Sequence, residues 1–164
     1  MKKLLTTISL ALTLCLSLTT VFAAPSINKN GAVKKDSILI NGEKVDANTT
    51  AAFDSKKETY SAAGVSDETI DVIEKVNANP SQLASLIKGV DLSGYSLLTE
   101  FQDLSVYVNG ELKQKVKNVT LTWEVPNLVK TAKNVKVLHY STERNTWEIL
   151  TPKSVDFDNK TITE

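Results

Sequence analysis

The sequence predicts a mainly β, α+β protein: an antiparallel β-sandwich, immunoglobulin-like module preceded by a short two-helix hairpin. Two patterns support this prediction. Between residues 66 and 88, apolar residues recur every three or four positions, as on one face of a helix. From residue 96 onward they alternate with polar residues over short runs, and turn-forming pairs such as Asn109-Gly110 separate the runs. About five or six short strands at this spacing are typical of a β-sandwich.

The first 23 residues have the three parts of a secretory signal peptide. Two lysines follow the initial methionine, residues 4–18 form an apolar run, and the Val-Phe-Ala of residues 21–23 suits a signal peptidase. We therefore expect cleavage before Ala24 and a secreted, extracellular protein. A lipoprotein signal is not expected, because a leucine precedes Cys15 where a small residue is needed. A retained membrane anchor is the alternative, although the apolar run is short for a span.

Composition limits the classes of partner and the means of stabilisation. The chain has 19 basic and 19 acidic side chains, and the leader carries two of the lysines. The remainder is therefore slightly acidic, without the clustered basic charge of a nucleic-acid surface. Cys15 is the one cysteine, so the mature chain cannot form disulfides although an extracellular compartment would permit them. A packed core must stabilise the domain.

Residues 24–64 are expected to be a flexible N-terminal segment with a possible β-hairpin at 37–45. Asn41-Gly42 lies there between two short apolar runs, and both residues tolerate the positive φ of a type I′ turn. Residues 46–64 contain much Ala, Thr, Lys and Ser and few large apolar residues. That composition predicts a linker.

Residues 65–164 are expected to contain the helical hairpin and the β-sandwich module. Ser66 can cap a first helix that ends at Ala78. Pro80 suits the first position of a second helix, and Gly89 can end it in the left-handed conformation. The strands follow, and the run from Val135 to Tyr140 is apolar on both faces, as in a central strand.

Residues 135–163 read VKVLHYSTERNTWEILTPKSVDFDNKTIT. This run resembles the C-terminal β-module of small secreted and cell-surface proteins of clostridia-like Firmicutes, which are Gram-positive bacteria. The resemblance extends over residues 65–164 and implies no established activity. Longer members of that family resemble cell-wall-anchored proteins that continue with a further strand and a sorting motif. The resemblance therefore implies a secreted or cell-wall-associated protein, and this chain is either a truncated product or a short released form.

The end of the chain departs from the family pattern. Glu164 falls where the last strand is expected to be still pairing. Fraying of this terminus is the simpler expectation. The alternative is an open strand edge that accepts another strand, in cis or from a partner chain.

The residues do not form a catalytic or metal-binding pattern. His139 is the sole imidazole, it lies on a predicted strand, and a zinc site needs more ligands than one histidine. No Gly-x-Ser-x-Gly elbow and no phosphate-binding glycine loop occurs. Asp156, Asp158 and Asn159 could offer oxygen ligands to Ca²⁺, but they are more typical of a hairpin turn. We therefore expect no enzyme activity, no cofactor and no metal.

Aromatic residues are the remaining candidates for recognition. Trp123 alternates with apolar residues and is expected in the core, whereas Trp147 is expected to be half-buried and Tyr107 exposed. Tyr107, Trp147 and His139 are the candidate contacts to a ligand or partner. The expected role is structural or adhesive, through a protein or glycan partner at the cell surface, with no membrane span after signal cleavage. The alternative is a carbohydrate-binding module that uses exposed aromatics.

Overall fold

The computed structural model describes residues 13–18, 31–113, 116 and 118–164. Over these residues the chain is mainly β, and its strands pair in antiparallel fashion within four small sheets. The predicted mainly β class with antiparallel strands is therefore confirmed. Most of the predicted leader lies outside the described residues.

Thirteen strands are described, several of them only two or three residues long. They are β1 Thr13–Leu18, β2 Leu39–Ile40, β3 Glu43–Lys44, β4 Thr49–Asp54, β5 Tyr95–Leu97, β6 Asp103–Val108, β7 Glu111–Lys113, β8 Val119–Thr120, β9 Thr122–Glu124, β10 Lys133–Ser141, β11 Thr146–Leu150, β12 Ser154–Asp156 and β13 Thr161–Thr163. The helices are α1 Lys57–Ala62, α2 Asp67–Ala78 and α3 Leu83–Leu86, with 3-10 turns at Lys35–Ser37 and Pro80–Gln82. The sheet orders are β11-β10-β1-β5, β12-β13-β9, β3-β2-β8 and β4-β6-β7.

The predicted hairpin at 37–45 is confirmed. Strands β2 and β3 pair across Asn41 and Gly42, whose φ angles are 54° and 82°. Both are positive, as a type I′ turn requires. The hairpin is not isolated, because β2 also pairs with β8, a strand of the C-terminal half of the chain.

The predicted linker over residues 46–64 is wrong. This stretch forms β4 and α1, so the chain is regular well before residue 65. Strand β4 pairs along its whole length with β6, and its two alanines need little room beside that strand. Tyr60 anchors α1: its ring is buried, and its hydroxyl donates to the carbonyl oxygen of Phe101 at 2.8 Å. The prediction of a linker rested on the lack of large apolar residues. The buried ring of Tyr60 and the pairing of β4 with β6 order this stretch without them.

The first predicted helix is confirmed, and the second is shorter than predicted. The Ser66 hydroxyl oxygen accepts a hydrogen bond from the backbone N–H of Thr69, as an N-cap does. After Pro80 the chain makes a 3-10 turn and then only one turn of α-helix, which ends at Leu86. Ile87 is already extended, so Gly89 is not the residue that ends this helix.

Strand β10 is central, as predicted, and its two faces pack into different hydrophobic clusters. Leu138 and Tyr140 join the helix-side cluster, whereas Val135 and Val137 join the strand-side cluster. The buried members of the helix-side cluster are Tyr60, Val65, Ile70, Ile73, Val76, Leu83, Ile87, Leu92, Leu97, Phe101, Leu138 and Tyr140. Those of the strand-side cluster are Ile38, Leu98, Leu104, Val119, Leu121, Trp123, Val125, Leu128, Ala132, Val135, Val137 and Ile162.

The expected fraying at the end of the chain is wrong. Strand β13 lies between β12 and β9, so both of its edges are paired. The backbone N–H of Glu164 donates to the carbonyl oxygen of Leu121 at 3.1 Å, and the N–H of Leu121 donates back to Glu164 at 2.9 Å. The alternative of an open edge at this strand is therefore wrong as well.

The described part of the predicted leader has a defined place in one of the sheets. Residues 13–18 form β1, which lies between β10 and β5. None of the helices in the described ranges is long and apolar enough to cross a membrane.

Candidate functional site

The three predicted contact residues do not converge on one site. His139 and Trp147 lie on neighbouring strands, but they occupy adjacent rungs of the β10–β11 ladder and therefore opposite faces of it. Tyr107 belongs to a different sheet, on β6. Each residue is therefore considered by itself.

Trp147 is half-buried, as predicted, and its ring packs against other aromatic rings. The ring centroids lie 5.1 Å from Phe101 and 5.0 Å from Tyr140, both in tilted orientations. Such tilted pairs stabilise a core by their edge-to-face contact as well as by burial. Trp147 thus covers the edge of the helix-side cluster. A sugar that stacked on its ring would have to replace the contacts with Phe101 and Tyr140.

His139 is 1 % exposed, so its imidazole cannot reach solvent or a ligand in this conformation. Its Nδ1 atom lies 3.6 Å from Oε2 of Glu148, the residue directly opposite on β11. The other carboxylate oxygen of Glu148 is 2.5 Å from Nη2 of Arg144. Glu148 therefore bridges a buried imidazole and a half-exposed guanidinium, an arrangement that ties the turn at residues 142–145 to the sheet.

Tyr107 is only half-buried rather than exposed, which corrects the prediction. The prediction assumed that its strand face, shared with Ser105, looks toward solvent. Ser105 is buried instead, and β4 and β7 flank Tyr107 on both sides. The prediction missed the pairing of β6 with β4, because residues 46–64 had been predicted as a linker.

Sequence reasoning missed one buried ionisable group, Asp103. This carboxyl is 4 % exposed and accepts a hydrogen bond from the Ser105 hydroxyl at 2.8 Å. Burial raises its pKa to about 6; the hydrogen bond from Ser105 opposes that rise, and the charge of Asp54, opposite it on β4, adds to it. The available signal was an aspartate at the start of an apolar alternating run.

Asp54 and Tyr60 complete the polar surroundings of Asp103 at the start of α1. Asp54 accepts hydrogen bonds from the backbone N–H of Lys56 and the hydroxyl of Thr59, so it holds the turn that leads into α1. The pKa of Tyr60 is raised, first by burial and then by the charges of Glu100 and the two aspartates. The hydrogen bonds of these groups go to backbone atoms and to the hydroxyls of Thr59 and Ser105, which is a stabilising arrangement for the fold.

The acidic turn after β12 has the geometry of a turn, as predicted. Oδ1 of Asp156 accepts from the backbone N–H groups of Asp158 and Asn159, both at 3.0 Å, and these bonds lower the pKa of Asp156. The other carboxylate oxygen of Asp156 accepts from the side-chain amide of Asn159 at 2.7 Å, so both oxygens are used within the turn. Within the described ranges, no group of three or more His, Cys, Asp or Glu side chains could hold a metal ion.

The position of β1 is a candidate interface, because both edges of this strand pair with other strands. Its backbone pairs with β10 from Thr13 opposite His139 to Leu18 opposite Lys133, with a bulge between Leu16 and Leu18. On its other edge it pairs with β5, from Leu16 opposite Leu97 to Leu18 opposite Tyr95. We call this position, between β5 and β10, the β1 slot.

Comparison of the chain with protein families, with curated proteins and with solved structures gave no match.

Proposed function

We propose that this chain is a secreted, non-enzymatic protein that acts at or outside the cell surface in a structural or adhesive role. The observation that carries the proposal is the leader: two lysines, an apolar run over residues 4–18, and Val-Phe-Ala at the peptidase site. Residues 65–164 supply the interaction module. The resemblance to secreted and cell-wall-associated proteins of clostridia-like Firmicutes points to a Gram-positive bacterium as the source.

We further propose that the module is a β-sandwich of immunoglobulin type with helices added on one outer face. The support is the division of β10 side chains between two clusters. Val135 and Val137 face a cluster built from strands, as the inner face of a sandwich would. Leu138 and Tyr140 face the helices, so the same sheet is covered on its outer side.

The proposal of a non-enzymatic role rests on the surroundings of the ionisable groups. A catalytic acid or base must come within hydrogen-bond reach of a substrate. The His139 imidazole is buried and lies against Glu148. The Asp103 carboxyl is buried and accepts a hydrogen bond from Ser105. A measurable turnover that disappears in His139→Ala, with folding intact, would overturn this part of the proposal.

The first experiment is the intact mass of the protein recovered separately from the culture medium and from the cell wall. We expect a species in the medium that begins at Ala24. A species that keeps residues 1–23 in the membrane fraction would instead support a retained anchor. A heavier, wall-linked species would indicate a longer anchored protein of which this chain is a part.

Two leader variants make the same experiment sharper. Leu12→Arg places a charge in the apolar run and should keep the protein inside the cell, whereas the matched Leu12→Ile should be exported normally. Ala23→Trp should allow export but block cleavage, because signal peptidase needs a small residue at that position. Export that survives Leu12→Arg would contradict the proposed leader.

A further inference from the structure

Strand β1 is an internal strand that the proposed export would remove. In the order β11-β10-β1-β5 it is the sole link between β5 and the other two strands of that sheet. Neighbouring strands lie about 4.8 Å apart, so loss of one strand leaves its two neighbours about 10 Å apart. At that distance β5 and β10 cannot form backbone hydrogen bonds with each other. The backbone N–H and C=O groups that faced β1 therefore lose their hydrogen-bond partners.

The walls of the β1 slot define what can fill it. Val137 and Leu138, which pair with Cys15 and Leu14, are fully buried and point to opposite faces of the sheet, one into each hydrophobic cluster. Leu97, on the other wall, is buried as well. A strand between these walls needs large apolar residues at alternate positions, as the three leucines of TLCLSL provide in the predicted leader.

Positive charge at one end of the β1 slot favours one orientation of the bound segment. The segment runs antiparallel to β10, so its C-terminal end lies beside Lys133 and Lys136. Lys133 is exposed, and its charge is available to an acidic residue that follows the segment. The fitting occupant is therefore an extended segment of about six residues, with large apolar residues at alternate positions and an acidic residue at its C-terminal end.

We propose that, in the processed protein, the β1 slot is the docking site for such a segment of a separate partner polypeptide, which completes the sheet by strand addition. This inference rests on the proposed export and cleavage of the leader. In the precursor the leader itself occupies the slot. A second copy of the chain is a poorer occupant, because its long apolar strands in the described ranges are already paired within their own sheets.

The test uses protein recovered from the medium and a peptide of residues 13–18 carrying Cys15→Ser, with a fluorophore and a polyethylene glycol tail at its N-terminus. We expect saturable binding and a higher midpoint of thermal unfolding when the peptide is present. The matched control peptide has the same side chains, but the backbone nitrogen atoms of Leu14 and Leu16 are methylated. It keeps the side chains but loses two backbone donors, so it should bind about tenfold more weakly or worse.

A second pair of peptides tests the direction of the segment. One adds a glutamate after Leu18 and the other a lysine. The glutamate peptide should bind about threefold more tightly at low salt, and Lys133→Glu should reverse this preference. Equal binding of the N-methylated peptide, or no saturable binding, would overturn the proposal. Exclusion of the peptide by dimers of the processed protein would also overturn it, because a second copy would then fill the slot.

The full-length chain separates this proposal from the proposed function. Leu16→Pro in residues 1–164 should displace β1, because proline cannot donate to the neighbouring strand. We expect the peptide to bind this intact variant at least about tenfold more tightly than the wild-type precursor, whose slot is filled. If the precursor is never cleaved in the cell, the export proposal is overturned. Peptide binding to Leu16→Pro and to the wild-type precursor still shows whether the β1 slot accepts a strand. Equal binding to both chains would overturn the slot proposal alone.

Discussion

The two faces of β10 pack against parts of the chain with different origins. Apart from residues of β10, the buried members of the helix-side cluster come from one continuous stretch, between Tyr60 and Phe101. The strand-side cluster gathers residues from Ile38 to Ile162, almost the whole described chain. Local contacts form at low cost in loop-closure entropy, whereas contacts between distant strands require most of the topology to be in place. The difference explains why helix α2 and its cap were easier to predict than the pairing of distant strands.

The two tryptophans test this contrast most directly. Trp123 is 1 % exposed, and it joins β9, β13 and the N-terminal segment: it pairs with Ile162, bridges to Val33, and its ring centroid lies 5.8 Å from that of Phe53. Trp123→Ala should lower the free energy of unfolding by about 3–5 kcal/mol, measured by urea denaturation. A loss below about 1 kcal/mol would mean that the strand-side cluster is not the core described here.

The pH dependence of stability tests the boundary between the two regions, where Asp103 lies near Tyr60. The pKa of Asp103 is raised to about 6 in the folded state, so the native protein binds this proton more tightly than the unfolded chain does. Its contribution to stability is therefore complete at low pH and is lost as the pH rises toward 7. Between pH 4 and pH 7, the free energy of unfolding of Asp103→Asn should rise relative to that of the wild type by as much as about 3 kcal/mol.

The control for that measurement is Asp91→Asn. Asp91 is exposed, and hydrogen bonds from Ser93 lower its pKa, so its effect should have the opposite sign. Urea denaturation at four or five pH values would compare the three proteins. A difference between wild type and Asp103→Asn that does not change with pH would show that Asp103 is not protonated preferentially in the folded state.

On the helix side, Trp147→Ala should have a smaller effect than the change at Trp123. Only part of the Trp147 ring is removed from water, although it contacts Phe101 and Tyr140. We expect a loss of about 2 kcal/mol in the free energy of unfolding. Glycan-array binding that disappears in this variant or in Tyr107→Ala, with folding intact, would favour the carbohydrate-binding alternative. An equal loss for the two tryptophans would remove the contrast between the clusters.

The smallest expected effect is at the cap of α2. Ser66→Ala removes the acceptor for the backbone N–H of Thr69 and should cost about 1 kcal/mol. Ser66→Asp, which keeps an acceptor at the helix N-terminus, should retain the stability of the wild type. If the alanine variant unfolds at the same urea concentration as the wild type, the cap does not contribute.

Sequence patterns were sufficient where the determining interactions are local. The Ser66 cap, the apolar stripe of α2 and the positive-φ pair Asn41-Gly42 were all predicted, because each depends on residues within a few positions. The buried position of Trp123 was predicted from alternation alone. Of the candidate contacts, Trp147 was correctly predicted to be half-buried, whereas the exposure of Tyr107 was not.

The remaining features were decided by tertiary structure, because they depend on partners far away in sequence. Strand β4 and helix α1 contain few large apolar residues, and only pairing with β6 and burial of Tyr60 reveal them. The raised pKa of Asp103 depends on its burial beside β4, the strand that was predicted as linker. The sequence by itself predicted the leader, and it determined the balance of charge and the local turns and caps. The tertiary structure alone decided which strands pair, and it placed residues 13–18 between two strands that lie more than 75 residues further along the chain.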